Sequence, residues 1–258
     1  MAGIFSGITS ILGRSPGGAG LGFCHAVVVA GGSSARMGGE DKLMAEIGGI
    51  PAFVRSLAAF EDCPSVKSVV LVARAERLVD YSSLIRQYGL TKVSKIVSGG
   101  DSRTDSVERG LAALPEGGEY IAAIHDAARP LVKPGDIEKC IAAARSYHAA
   151  ALAVPVTDTL KKRGGNMMIS ETLDREGVFA VQTPQCFDAA LIKGAYKKAR
   201  DERYRATDDC ALIERMGVGV FLCEGSRTNI KLTVKEDIFI ANALFEAREA
   251  GGIGGKNL

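Results

Sequence analysis

Hydrophobic positions along the chain follow two rhythms that alternate. The first is a short, largely apolar run: Ala26–Val29, Ser68–Ala73, Tyr120–Ile124 and Ala149–Val156, with Val93–Val97 also strand-like. Runs of this length and composition fit strands buried on both faces. The second rhythm has helical spacing. Pro51–Glu61 lines up Phe53, Val54, Leu57 and Phe60; Glu76–Tyr88 lines up Leu78, Val79 and Ile85. The segment after Gly99-Gly100-Asp101-Ser102-Arg103 lines up Val107, Leu111 and Leu114, with Asp101 or Ser102 as N-cap, and a further helix is expected from about Gly135 to Tyr147. Strand–helix–strand alternation of this kind predicts an α/β fold with a doubly wound, mostly parallel sheet.

The rhythm breaks between Thr157 and Val178. Two short β-like runs flank Gly164-Gly165-Asn166, which predicts a hairpin. An isolated hairpin is marginal in water, so this one is expected to pack on a second subunit. Beyond it, the pattern predicts a helix through Leu191 and Tyr196, another over Asp208–Met216 and a strand over Val218–Cys223. A last helix opens on Thr233-Val234-Lys235-Glu236, which has the form of a capping box. The expected organisation is a flexible extension over 1–24, one domain over 25–248 carrying a β-arm at about 157–177, and a disordered tail over 249–258.

Composition narrows the class. A length of 258 residues and 47% hydrophobic residues suit one large globular domain. The net charge of +2 gives no sign of a nucleic-acid binder, so affinity for anions must come from local clusters. No apolar run reaches the ~20 residues of a membrane span. The six cysteines include no CxxC pair, which disfavours a zinc ribbon; buried free thiols in a cytoplasmic protein are the expectation. The three histidines show no metal-ligand spacing, and no protein metal site is expected.

In a parallel α/β sheet, ligands bind at the carboxyl ends of the strands. Four polar clusters fall there: Ala30–Lys42, Gly99–Arg103, His125–Arg129 and Asn229-Ile230-Lys231. The first combines small residues with two cations, Arg36 and Lys42. Its backbone amides can form an anion-binding concavity. It is neither GxxxxGK[ST] nor GxGxxG, which disfavours a P-loop and a dinucleotide site. Taken alone, Arg175 and Lys231 read as surface ion-pair residues, and Asp208 as an N-cap.

Gly31-Gly32-Ser33-Ser34-Ala35-Arg36-Met37 followed by Lys42 resembles the signature of nucleotidyltransferases that activate sugars, sugar alcohols and molybdopterin. Gly99–Val107, His125–Pro130, Val154–Lys161, Thr183-Pro184-Gln185, Thr207-Asp208-Asp209 and Asn229–Thr233 are similar, in order, to the 2-C-methyl-D-erythritol 4-phosphate cytidylyltransferase family. The resemblance implies a Rossmann-like nucleotidyltransferase. It would transfer CMP from CTP to a polyol phosphate and release pyrophosphate, with Mg²⁺ carried mainly on the CTP phosphates. It assigns catalytic roles to Arg36, Lys42, Arg175 and Lys231, and the cytidine pocket to Ala30, Gly31, Gly32, Gly100, Asp101, Ser106 and Ala127. Asp126, Arg129, Thr159 and Thr183 would hold the acceptor, and the β-arm would build a homodimer in which Thr159 serves the neighbouring site. A ribitol 5-phosphate cytidylyltransferase and an inactive nucleotide-binding module are the rival readings. Retention of both Arg36 and Lys42 speaks against the second.

Overall fold

The computed structural model describes residues 22–31 and 41–251. The chain opens with β1 (Cys24–Ala30), a small ribbon of β2 (Glu46–Ile47) and β3 (Ile50–Pro51), and helix α1 (Ala52–Glu61). Next come β4 (Val66–Ala73), α2 (Leu78–Gln87), β5 (Val93–Ser98), α3 (Arg103–Ala113), β6 (Ile121–Asp126), α4 (Pro134–Tyr147) and β7 (Ala149–Pro155). A hairpin of β8 (Lys161–Arg163) and β9 (Ile169–Thr172) precedes β10 (Phe179–Asp188). The chain then continues through α5 (Ala189–Asp201), α6 (Asp209–Glu214), β11 (Phe221–Glu224) and α7 (Glu236–Glu249).

Among the described residues the main sheet has the order β11-β7-β10-β6-β1-β4-β5. Every neighbouring pair in it is parallel except those made by β10, which runs antiparallel to both β6 and β7. The continuous apolar runs explain the two-sided core. In β1, Cys24, Ala26, Val28 and Ala30 enter one hydrophobic layer while Val27 enters the other. In β6, Ile121 and Ala123 face the first layer and Ala122 and Ile124 the second. Helices α1, α2, α4 and α7 contribute to the first layer, and α3, α5 and α6 to the second. The period-2 pleat therefore feeds both faces from one apolar run.

Several expectations need correcting. The stretch around Thr183-Pro184-Gln185, which the pattern left unassigned, is part of the ten-residue strand β10, in the interior of the sheet. Val79 is 80% exposed, and Tyr81 takes the buried place on α2 beside Ile85. Strand β11 begins at Phe221 rather than Val218. The last helix is not closed by a Thr233–Glu236 capping box. Instead, Asp237 Oδ2 accepts from the Thr233 amide (2.6 Å), the Thr233 hydroxyl (2.7 Å) and the Val234 amide (2.9 Å). One ionised carboxylate thus serves three donors, and these bonds hold its pKa below the usual range.

Ser102 is the N-cap of α3, in a complete capping box with Asp105. Asp208 caps α6, accepting from the Ala211 amide. All six cysteines are free and buried. No helix among the described residues is long and apolar enough to cross a membrane. The hairpin forms its own two-stranded sheet, and Met167, Met168, Ile169 and Leu173 on it are exposed.

Candidate active site at the carboxyl edge of the sheet

The strand order reverses at β1: the chain runs outward through β4 and β5, and α3 then carries it back across the opposite face to β6 on the other side of β1. A crevice opens at the carboxyl ends of strands at such a point. It is a cavity of about 390 Å³ whose lining includes Gly31, Lys42, Gly100, Ser106, Asp126 and Lys231. The N-terminus of α3 forms one wall, and its unpaired amides favour negative charge. Gly100 is needed at that wall because a Cβ there would lie 2.4 Å from Asp105 Cβ. The Ser106 hydroxyl accepts from the Gly100 amide at 3.1 Å and donates to the Ser102 carbonyl at 2.9 Å, which fixes the turn against the helix. Lys42 lines the same cavity, and its Nζ donates to the Leu232 carbonyl at 2.9 Å.

A second cavity of about 130 Å³ adjoins the first. Arg129, Gln182, Thr183 and Asp208 line it. Arg103, Asp126 and Lys231 line both cavities, so these three side chains form the partition. Asp126 Oδ1 accepts from Arg103 Nε at 3.1 Å, and its Oδ2 accepts from Lys231 Nζ at 2.6 Å. Burial alone would raise the Asp126 pKa, but the two cations outweigh it and hold this carboxyl well below the usual range. His125, the preceding residue, is fully buried. Its Nδ1 lies 3.0 Å from Thr183 Oγ1, which also accepts from the Asp126 amide. Desolvation lowers its pKa to about 3, so it is a neutral structural imidazole at neutral pH.

The structure brings Gly31, Lys42, Gly100, Asp101, Ser106, Asp126 and Lys231 to one cavity, and Arg129 and Thr183 to its neighbour. Arg129 is held by a 2.7 Å bond from Nη1 to the Asn229 carbonyl, and burial lowers its pKa. Four of the expected residues sit elsewhere in the neighbourhood or along the chain. Ala30 and Ala127 are buried with their side chains in the apolar layer; the wall positions belong to their neighbours Gly31 and Ala128. Thr159 is exposed on the arm and lines neither cavity. Arg175, also exposed on the arm, bonds the Thr157 carbonyl and lines neither cavity. Gly32 and Arg36 lie outside the described residues. Sequence reasoning missed Arg103 as a site residue. Its signal was its place at the first helical position after a glycine turn at a strand end.

The model of the 2-C-methyl-D-erythritol 4-phosphate cytidylyltransferase family matches residues 24–247. The chain belongs to that family. A cytidylyltransferase of this name from Pelotomaculum thermopropionicum is 44% identical over 235 residues, covering 88% of this chain and 98% of the relative. One from Halalkalibacterium halodurans is 42% identical over 224 residues, covering 86% and 97%. Among solved structures, the 4-diphosphocytidyl-2C-methyl-D-erythritol synthase of Anaerococcus prevotii superposes with a TM-score of 0.77 at 30% identity, covering 87% of this chain and 96% of that one. The cytidylyltransferase of Thermus thermophilus superposes with a TM-score of 0.71 at 30% identity, covering 85% and 98%. The cytidylyltransferase match spans β1 to α7, so it includes every element that lines the two cavities.

Proposed function

We propose that this chain joins CTP to 2-C-methyl-D-erythritol 4-phosphate, giving the CDP-alcohol and pyrophosphate. The observation that carries this reading is the pair of adjoining cavities, with cations on their walls and a shared partition of Arg103, Asp126 and Lys231. Two anionic substrates must meet, one in each cavity. In the larger one, the α3 N-terminus and Ser106 face the nucleotide, and Lys42 with Arg36 takes the triphosphate. The smaller one receives the acceptor, whose phosphate is directed by Lys231 and Arg129.

The nucleophile is a phosphate oxygen of the acceptor, already largely ionised because its second pKa is about 6. It forms a bond to the α-phosphorus of CTP while the bond to the bridging oxygen breaks, and pyrophosphate leaves with that electron pair. No side chain has to remove a proton, which accords with a buried, neutral His125. The barrier is charge repulsion, and fixed cations lower it because they are aimed before the reaction begins. Asp101 and Asp126 are the carboxylates on the wall of the larger cavity, and Asp126 already holds two cations. With both Asp126 oxygens already occupied by cations, this wall fits a magnesium ion held by the triphosphate oxygens rather than by a protein carboxylate. Bound there, Mg²⁺ would spread the charge that gathers on the phosphates.

The arm supports a homodimer. Its exposed Met167, Met168, Ile169 and Leu173 are an apolar surface carried on a hairpin with no core of its own. Thr159 and Arg175, which line neither cavity of their own subunit, would complete the neighbouring one. Six buried free thiols favour a reducing, cytoplasmic setting. The test is pyrophosphate release from CTP and Mg²⁺ with methylerythritol phosphate or ribitol 5-phosphate as acceptor. Turnover with methylerythritol phosphate is expected. Turnover with ribitol phosphate alone would replace the acceptor assigned here, and none with either would leave a nucleotide-binding module.

A further inference from the structure

Behind the partition stands a second buried carboxylate that the proposed chemistry does not use. Asp209, the first residue of α6, is completely buried. Its two oxygens receive the two terminal nitrogens of Arg103, Nη1 to Oδ1 at 3.1 Å and Nη2 to Oδ2 at 2.8 Å. The Tyr196 hydroxyl, from α5, donates to Asp209 Oδ1 at 2.5 Å. The start of α6 is itself anchored to β10. Gln185 Nε2 donates to Asp208 Oδ2 at 3.0 Å, and Gln185 Oε1 accepts from the Cys210 amide at 3.1 Å.

This arrangement divides the Arg103 guanidinium. Arginine pairs with a carboxylate most favourably through two parallel bonds. Asp209 takes that two-bond grip from behind, so Asp126 is left with the single Nε bond on its Oδ1. Asp126 Oδ2 is thereby reserved for Lys231. Without Asp209, the fork would be free to turn onto both oxygens of Asp126. Lys231 would then lose its partner at the mouth of both cavities.

We infer that Asp209, held by Tyr196, is a positioning residue: it commits the Arg103 fork to the protein interior, so that one oxygen of Asp126 stays available to aim Lys231 at the substrate phosphate. This device rests on the cytidylyltransferase reading for its effect on turnover, but not for its effect on Lys231. It also requires arginine at position 103, because one ammonium group lacks the fork that spans two carboxylates.

Four variants and two readouts test it. Tyr196→Phe removes a single hydroxyl, and Asp209→Asn removes the charge at nearly constant size; thermal unfolding shows whether each is folded. Arg103→Lys keeps the charge and loses the fork. The kinetic expectation is that Asp209→Asn raises KM for the acceptor about tenfold, while KM for CTP moves less than about twofold. Tyr196→Phe should move the same constant in the same direction by a smaller factor, and Arg103→Lys should give no rescue relative to Arg103→Ala. The second readout needs no turnover. Lys231, labelled by an amine-acylating ester and quantified by mass spectrometry, should react several-fold faster in Asp209→Asn than in the unaltered protein. If Tyr196→Phe and Asp209→Asn leave both the acceptor KM and Lys231 labelling unchanged, or if Arg103→Lys matches the unaltered protein, the clamp is refuted. Failure of the unaltered protein to turn over would remove the enzymatic reading instead, and Lys231 labelling would still decide the clamp.

Discussion

The carboxyl edge of the sheet and the hairpin arm both carry charged pairs, yet they are built on opposite terms. At the sheet edge, Asp126 and Asp209 are buried and every carboxylate oxygen has a partner within 3.1 Å. On the arm, Lys162 and Glu171 pair across the ribbon at 3.6 Å with both side chains more than half exposed. Pairs of the second kind contribute little to stability and are weakened by salt. Pairs of the first kind hold fixed positions because leaving either partner alone inside the protein is costly. The contrast separates a region whose buried ion pairs are satisfied within one chain from one whose apolar side chains remain uncovered by that chain.

The sharpest way to break this comparison is to remove the arm. Replacing residues 158–175 by a short glycine linker should abolish activity and yield a monomer by sedimentation. The thermal midpoint of the body should stay within a few degrees of the parent, since the arm forms a sheet separate from the core. An active monomer would sink the shared-site proposal. Next in size, Lys42→Ala should lower kcat by about 10²–10³ with the fold intact, the cost of losing one fixed charge-stabilising group. Near-normal pyrophosphate release would remove Lys42 from the triphosphate.

A smaller effect comes from pH. His125 binds a proton near pH 3 in the folded protein and near pH 6.5 when unfolded. Between those values the unfolded state holds more protons, so stability contributed by this residue falls as pH falls through that window. His125→Asn should flatten the dependence of the unfolding midpoint on pH between about 6.5 and 4. An unchanged slope would show that other groups set it. The smallest expected effect is Met168→Ser on the exposed arm, within about 0.5 kcal/mol for the isolated subunit. Its consequence should appear instead as dimer dissociation at low protein concentration.

Much of this layout was legible in the residues. The apolar runs gave the parallel strands because burial on both faces leaves no polar alternation to confuse. The clusters at Gly99–Arg103, His125–Arg129 and Asn229–Lys231 were legible as one site because a parallel sheet points their strand ends the same way. Strand β10 was not, because proline removes a backbone donor and interior strands rarely tolerate one. Here Pro184 lies where the pairing register with β7 shifts, between Val181 and Gln185. Arg103 escaped notice because its partners are 23 and 106 residues away, and no local pattern encodes them. Val79 misled because helical spacing alone does not say which of two adjacent stripes meets the core.

The antiparallel course of β10 has a consequence for how the molecule can vary. Strand β7 leaves the sheet at Pro155, and β10 re-enters beside it at Phe179, pairing with that same residue. The 23 residues between them therefore start and finish at one doorway. An excursion of this form can be lengthened, shortened or exchanged without rethreading the sheet, and each doubling of its length costs only about 0.6 kcal/mol in closure entropy. The sheet thus constrains only the two ends of the arm, at Pro155 and Phe179, and leaves its length and its apolar tip open to change.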